Sequence, residues 1–213
     1  MANPKIRVML VDDHAVVRAG FRMLLGASGE VEVAAEADSG EAAYLSYPDV
    51  RPDVVLMDLS MPGMGGIETV RRLLARDRSA RVLVLSAHED SAHPRRMLKA
   101  GVLGYLSKRT APDTLIDAVR AVAAGRIYLD AGIARQLAMQ DLAGSGAIDT
   151  LSEREFAVFL QLARGQSVGR IAEILSVSPN TVGTHLYNIK QKLGAGNQAE
   201  LTLIALRNGL IEA

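Results

Sequence analysis

The chain has 213 residues, long for one average domain and comfortable for two. Hydrophobic residues make up 49% and charged residues 23%, a globular composition that argues against disorder, and the lack of cysteine excludes disulfides and thiolate chemistry. Lys plus Arg and Asp plus Glu both number 24, so no basic surplus announces a polyanionic partner. No apolar run approaches the roughly 18 residues needed to span a bilayer, and the N-terminal stretch lacks a signal-peptide layout, so a cytoplasmic protein is the simplest expectation.

Along the first 124 residues short apolar runs alternate with longer amphipathic stretches. The runs Ile6 to Val11, Val31 to Ala35, Val54 to Met57, Val82 to Leu85 and Gly104 to Leu106 predict five strands. Helical spacing covers Ala15 to Leu25, Ser39 to Tyr47, Ile67 to Arg76, Ala92 to Ala100 and Pro112 to Ala124. Five strand-helix pairs point to a flavodoxin-like (βα)5 fold, a doubly wound sheet whose ligands bind beyond the carboxyl ends of its strands. From Gly125 to Ala147 the periodicity weakens and small, flexible residues gather, so this segment is expected to link two domains, with a short helix possible over Gly132 to Gln140. Residues 148–213 are helical throughout, over Glu153 to Ala163, Val168 to Leu175, Pro179 to Leu193 and Gln198 to Asn208.

The predicted strand ends gather chemistry on one rim: Asp12 and Asp13 after the first, Asp58 after the third, Ser86 after the fourth and Lys108 after the fifth. Three carboxylates so placed repel one another, and a divalent cation with a taste for hard oxygen ligands, Mg²⁺, is the economical remedy. Such a site can accept a phosphoryl group, with Asp58 as nucleophile, the metal and Lys108 neutralising charge on the moving oxygens, and Ser86 hydrogen-bonding the product. Any one of these aspartates alone reads more simply as a helix cap or a solvated side chain. His14, His88 and His93 lie on separate segments without i, i+4 pairing and read as surface or loop residues. The Gly-rich stretch from Met61 to Gly66 lacks the Lys-Ser/Thr of a P-loop and reads as a turn.

Through Val11-Asp12-Asp13-His14, the run from Asp58 to Gly66, Leu85-Ser86-Ala87 and Tyr105-Leu106-Ser107-Lys108, residues 5–124 resemble the receiver domains of bacterial two-component systems. The resemblance implies that Asp58 takes phosphate from a sensor histidine kinase, that Asp12 and Asp13 help bind Mg²⁺, and that the Ser60 backbone carbonyl adds a ligand. It also implies a switch in which Ser86 moves toward the phosphoryl group and Tyr105 turns inward; by its residue type alone Tyr105 is half-buried core. Arg109 stands where many receivers have proline, so no cis peptide is expected there.

In the C-terminal part Ser152 and Glu155 have capping-box spacing, Gly165 ends the helix they open, and Ser178-Pro179 starts another after the tight turn at Ser176-Val177. This is helix-turn-helix spacing. In its second helix Val182, Leu186, Ile189 and Leu193 form the core stripe, leaving Asn180, Thr181, Thr184, Asn188, Lys190, Gln191 and Lys192 on other faces, the small polar ones suited to groove contacts and the lysines to phosphates. Read without analogy, the unit can also be a small helical dimerisation or docking module, because helix-turn-helix geometry occurs outside DNA binding too, and its six basic residues are matched by six acidic ones.

Residues 150–206 resemble the LuxR-type DNA-binding domain through Leu151-Ser-Glu-Arg-Glu155, Ala163-Arg-Gly165, Ile171-Ala172, the run Val177 to Val182, His185 and Lys192-Leu193. With a receiver in front, the whole resembles the NarL/FixJ class of response regulators. That resemblance implies double-stranded promoter DNA as partner, a homodimer when phosphorylated, and DNA contacts from Ser178, Asn180, Thr181, Thr184, His185, Asn188, Lys190 and Lys192. Gly183 departs from it, standing where the family usually has Lys, as does Asn197-Gln198 where an Arg is common. Two rivals carry other functions: an aspartyl-phosphate phosphatase, which requires a second Asp where Ser60 stands, and a protein-interaction module independent of phosphorylation and DNA.

Overall fold

The computed structural model describes residues 4–86, 92–110, 112–143, 147–208 and 210–211. The chain divides into two compact units, with the change at Ala134/Arg135.

The first unit is a parallel sheet of β1 (Ile6–Val11), β2 (Val31–Ala37), β3 (Val54–Asp58), β4 (Val82–Ser86), β5 (Gly104–Ser107) and β6 (Tyr128–Leu129), in the order β2-β1-β3-β4-β5-β6. Its helices are α1 (Ala15–Ala27), α2 (Gly40–Val50), α3 (Gly65–Arg76), α4 (Ala92–Ala100) and α5 (Pro112–Ala123). The central strands are buried on both faces, which is why they read as continuous apolar runs rather than alternating ones. On one face Val8, Leu10, Leu56, Leu83 and Leu106 pack with Leu25 of α1 and with Leu115, Val119 and Val122 of α5. The alternate residues Met9, Met57, Val84 and Tyr105 are buried as well, on the opposite face.

The sixth strand lies in the segment expected to be linker. It is two residues long, too short for any periodicity, and it forms because the chain leaving α5 runs beside β5: the Tyr128 N–H donates to Leu103 O at 2.8 Å and that of Asp130 to Tyr105 O at 3.2 Å. The same segment continues into α6 (Ala131–Ala143), longer than the short helix expected there.

Helix α2 also runs past its expected end at Tyr47, through Pro48. Proline cannot donate to the carbonyl four residues back, Tyr44 O, but Arg76 Nη1 on α3 donates to that oxygen at 3.4 Å. A neighbouring helix thus supplies the bond that proline withholds.

The second unit contains a 3-10 turn (Ile148–Thr150), α7 (Glu153–Ala163), α8 (Val168–Ile174), α9 (Pro179–Leu193) and α10 (Gln198–Arg207). Each helix has a side-chain N-cap, from Ser152, Ser167, Ser178 and Asn197 respectively. Phe156, Phe159, Ile171, Val182, Ile189, Leu201 and Ala205 form the core. Among the described residues no helix is long and apolar enough to cross a membrane.

Candidate functional site

Strand order decides which strand ends meet. Strands β1 and β3 are neighbours, and the chain reverses its direction of winding between them, so Asp12 just after β1 and Asp58 at the end of β3 flank the crevice of the sheet. Strand β4 pairs with β3 so that Asp58 stands opposite Leu85, one residue before Ser86. Strand β5 then brings in Lys108, whose N–H donates to Ser86 O at 2.8 Å. Parallel pairing thus gathers the predicted rim residues on one edge.

Asp58 is 1% exposed. Lys108 Nζ lies 2.6 Å from Asp12 Oδ2, as a hydrogen bond, and 2.8 Å from Asp58 Oδ2, as an ion pair outside hydrogen-bond geometry. Burial by itself would lower the Lys108 pKa, but the hydrogen bond to Asp12 and the contact and charge of Asp58 outweigh it and hold the ammonium above its usual range. The remaining oxygens are partly used by backbone: Asp58 Oδ1 accepts from Ser60 N–H at 3.0 Å and Asp12 Oδ1 from His14 N–H at 2.8 Å. Asp13 Oδ1 and Asp58 Oδ2 are buried without a hydrogen-bond partner among the described residues. One ligand atom from each of Asp12, Asp13, His14 and Asp58 falls within 4.8 Å of the others. Three carboxylates, two of them with a buried oxygen that accepts no hydrogen bond among the described residues, make an oxygen donor set suited to Mg²⁺, with the His14 imidazole at its edge. The contact the structure gives Ser60 is through its N–H.

Two neighbours of this cluster escape a pattern search. His14, expected at the surface, is indeed exposed, yet its Nδ1 lies 2.9 Å from Asp13 Oδ1, so it belongs to the acidic rim. Arg18, one helical turn on, donates from Nη1 to the Asp12 carbonyl while its Nε faces Glu36 at 3.5 Å. The only signal for Arg18 in the sequence is its i+4 spacing from His14 on an otherwise apolar helix start. His88 and Ala87 lie outside the described residues, as does the side chain of His93. The Lys108–Arg109 peptide is trans, and Tyr105 is fully buried, so it is turned inward here.

The loop that follows Asp58 is shaped by glycine. A Cβ on Gly66 would run into the Asp58 carbonyl oxygen and stand 2.5 Å from Leu59 Cα, so only glycine lets α3 start this close to the end of β3. Glu41 of α2 accepts from Met64 N–H at 2.8 Å and ties the same loop from outside.

In the helical unit the expected capping box is present: Ser152 N–H donates to Glu155 Oε2 at 2.7 Å and Glu155 N–H to Ser152 Oγ at 3.3 Å. Of the residues expected to contact DNA, Ser178, Asn180, Thr181 and Thr184 are exposed, while His185 and Asn188 are half-buried. Ser178 Oγ caps α9 by accepting from Thr181 N–H at 3.1 Å. The two lysines expected to contact phosphates both donate within the unit in this structure. Lys190 Nζ reaches Gly196 O at 3.0 Å, and Lys192 Nζ reaches Glu155 Oε2 at 2.6 Å and Thr150 O at 3.2 Å. Nearby carbonyls and a buried carboxylate attract a flexible ammonium that would otherwise extend into solvent.

Comparison with known proteins matches both units. Residues 8–120 match the response regulator receiver domain, and residues 149–205 match the bacterial regulatory proteins of the luxR family. The chain is 39% identical over 211 residues to the response regulator GacA of Pseudomonas viridiflava, covering 98% of this chain and 99% of that protein. It is 38% identical to the response regulator UvrY of Escherichia coli K12, covering 98% and 97%. Among solved structures, RcsB of Salmonella enterica serovar Typhimurium, bound to promoter rprA in the presence of the phosphomimetic BeF3⁻, is 27% identical with a TM-score of 0.69, covering 94% of this chain and 98% of that one. The response regulator ChrA of a heme-sensing two-component system is 37% identical with a TM-score of 0.56, covering 97% and 99%. An acidic rim at the switch point of a parallel α/β sheet, a capped helix-turn-helix later in the chain and relatives alike over nearly the whole length agree: the chain belongs to the two-component response regulators of the NarL/FixJ class, transcriptional regulators that join a receiver to a LuxR-type DNA-binding domain.

Proposed function

We propose that Asp58 accepts a phosphoryl group from a sensor histidine kinase in the cytoplasm and that this event controls dimerisation and promoter binding by α9. The observation that carries the reading is the buried Asp58 carboxylate with Lys108 2.8 Å away and Asp12 and Asp13 beside it. A carboxylate so enclosed is shielded from water, and a fixed cation at hydrogen-bonding range stabilises charge as it builds on a phosphoryl oxygen. In the transfer a carboxylate oxygen of Asp58 forms the new bond to phosphorus while the bond to the donor's leaving group breaks. Lys108 holds its proton throughout and acts as a charge, not as an acid. Asp12, Asp13 and Asp58, with the Ser60 backbone carbonyl, would hold Mg²⁺, whose chemistry is to neutralise the phosphoryl oxygens. Ser86, buried at the end of β4 one residue past the position opposite Asp58, donates to the new phosphoryl group in this reading, and Tyr105 on the adjacent strand follows its movement. The chain acts on no external substrate.

The relatives support the DNA half of the reading, since RcsB is bound to a promoter with a phosphomimetic present. Pairing two modest half-site contacts in a dimer multiplies their affinity, which gives phosphorylation a lever on binding. The test compares wild type with Asp58→Asn, each incubated with Mg²⁺ and acetyl phosphate. Wild type is expected to take up one phosphate, gain mass as a dimer and bind promoter duplex more tightly, and the variant to do none of these. Equal DNA binding by both, unmoved by acetyl phosphate, would overturn the phosphoswitch.

A further inference from the structure

The side of α9 turned away from the core carries no charge. Val182 and Ile189 are fully buried, and the residues half a turn from them, Asn180, Gly183, Thr184, Tyr187 and Gln191, are all exposed. The helix has two cationic side chains, Lys190 and Lys192, and both ammonium groups are drawn off this face by Gly196 O and Glu155. Tyr187 stands in the middle of the face and is 65% exposed. One turn earlier, a Cβ on Gly183 would meet nothing within 4 Å, so the ring has open space beside it and the backbone can approach a surface closely there.

From this face we infer that Tyr187 is a specificity-determining residue whose ring reads a thymine methyl, so that the half-site is centred on A·T pairs rather than on guanine. The inference rests on α9 lying in the major groove. In that groove guanine is read best by a cation in bidentate contact, which this face does not offer. An amide such as Asn180 suits adenine, hydroxyls such as Thr184 accept either pair, and an apolar ring suits the methyl that marks thymine. Gly183 lets the helix settle deep enough for the ring to reach the base edge.

The test is selection from a random duplex library by the full-length protein treated with acetyl phosphate and Mg²⁺, followed by replacement of each selected thymine with deoxyuridine, which removes only the methyl. One replacement in each half-site is expected to weaken wild type about fourfold, the worth of one buried methyl group, and to leave Tyr187→Ala unaffected. Tyr187→Phe keeps the ring and is expected to keep the response. The side chain is largely exposed, so neither variant threatens the fold. A preferred duplex centred on guanine, or one in which deoxyuridine weakens wild type and Tyr187→Ala alike or neither, overturns this inference and leaves the DNA-binding reading standing. Selection of no preferred duplex at all overturns both.

Discussion

Lys192, in the last turn of α9, reaches back to Glu155, in the first turn of α7, with Nζ 2.6 Å from Oε2. The Glu155 side chain is only 6% exposed and also accepts from Ser152 N–H, so one carboxylate closes a capping box and ties down α9, the helix proposed to bind DNA. Burial would raise the Glu155 pKa, but the hydrogen bonds from Lys192 and Ser152 outweigh it and bring it down to about 2.

A folded-state pKa below the ordinary value means that Glu155 stabilises the helical unit fully above about 4.5, and that this is lost as pH falls toward about 2. Amide exchange in α7 and α9 is therefore expected to speed up as pH drops from 5 to 3, after correction for the intrinsic rate. In Lys192→Met the unit is expected to be weaker by about 2 kcal/mol at pH 7, since a buried carboxylate loses its partner, and its acid dependence to be shallower. An unchanged stability in that variant would show the pair to be a surface contact of no consequence.

Lys108→Met leaves Asp12 and Asp58 facing each other without the cation between them. The variant is expected to lose at least tenfold in the rate of phosphorylation by acetyl phosphate, the usual scale for removing a fixed charge at a reacting oxygen. Like-charge repulsion also lowers the stability of its receiver, and added Mg²⁺ is expected to raise its melting temperature more than that of wild type. Equal Mg²⁺ responses in the two proteins would count against metal binding at these carboxylates.

Gly183→Ala adds a methyl group in open space and removes the conformational freedom of glycine from the middle of a helix. Thermal unfolding is expected to show a gain of about 1 kcal/mol in the helical unit. Gly183→Lys is expected to bring most of that gain and to add one phosphate contact, steepening the logarithmic dependence of DNA affinity on salt by about one. A salt slope unchanged in Gly183→Lys would place position 183 away from the DNA backbone.

Gly66→Ala puts a methyl group against the main chain of Asp58 and Leu59, neither of which can turn aside as a flexible side chain would. A loss of about 2 kcal/mol in receiver stability is expected, with slower phosphorylation because the strain falls on the residue that carries the nucleophile. Gly65→Ala is the control next door: nothing lies within 4 Å of its added Cβ, and its cost comes only from the positive φ.

Local pattern was enough for the strands and helices of the receiver and for the position of Asp12, Asp58, Ser86 and Lys108 on one rim. An apolar run ends where the chain leaves the sheet, so a polar residue at that point lies at a strand end whichever strands turn out to be neighbours. The capping signals worked for the same reason: Ser152 and Glu155 satisfy each other's backbone N–H three residues apart, Ser178 accepts from Thr181 N–H, and Pro179 brings no N–H that needs a partner. The sixth strand and the extension of α2 through Pro48 were not legible, because one depends on pairing with β5 and the other on a carbonyl satisfied by Arg76.

What the sequence determined by itself is the five main strands, the helices and the chemistry at their ends, since these follow from contacts within a few residues along the chain. Only the tertiary structure decided that Lys108 would join Asp12 from 96 positions away, that His14 and Arg18 would serve the same rim, and that Lys192 would turn to Glu155 across 37 positions instead of to solvent. A long side chain settles on whichever charge and hydrogen-bond acceptors the packed elements bring within its reach, and those neighbours exist only once strand order and helix packing are complete.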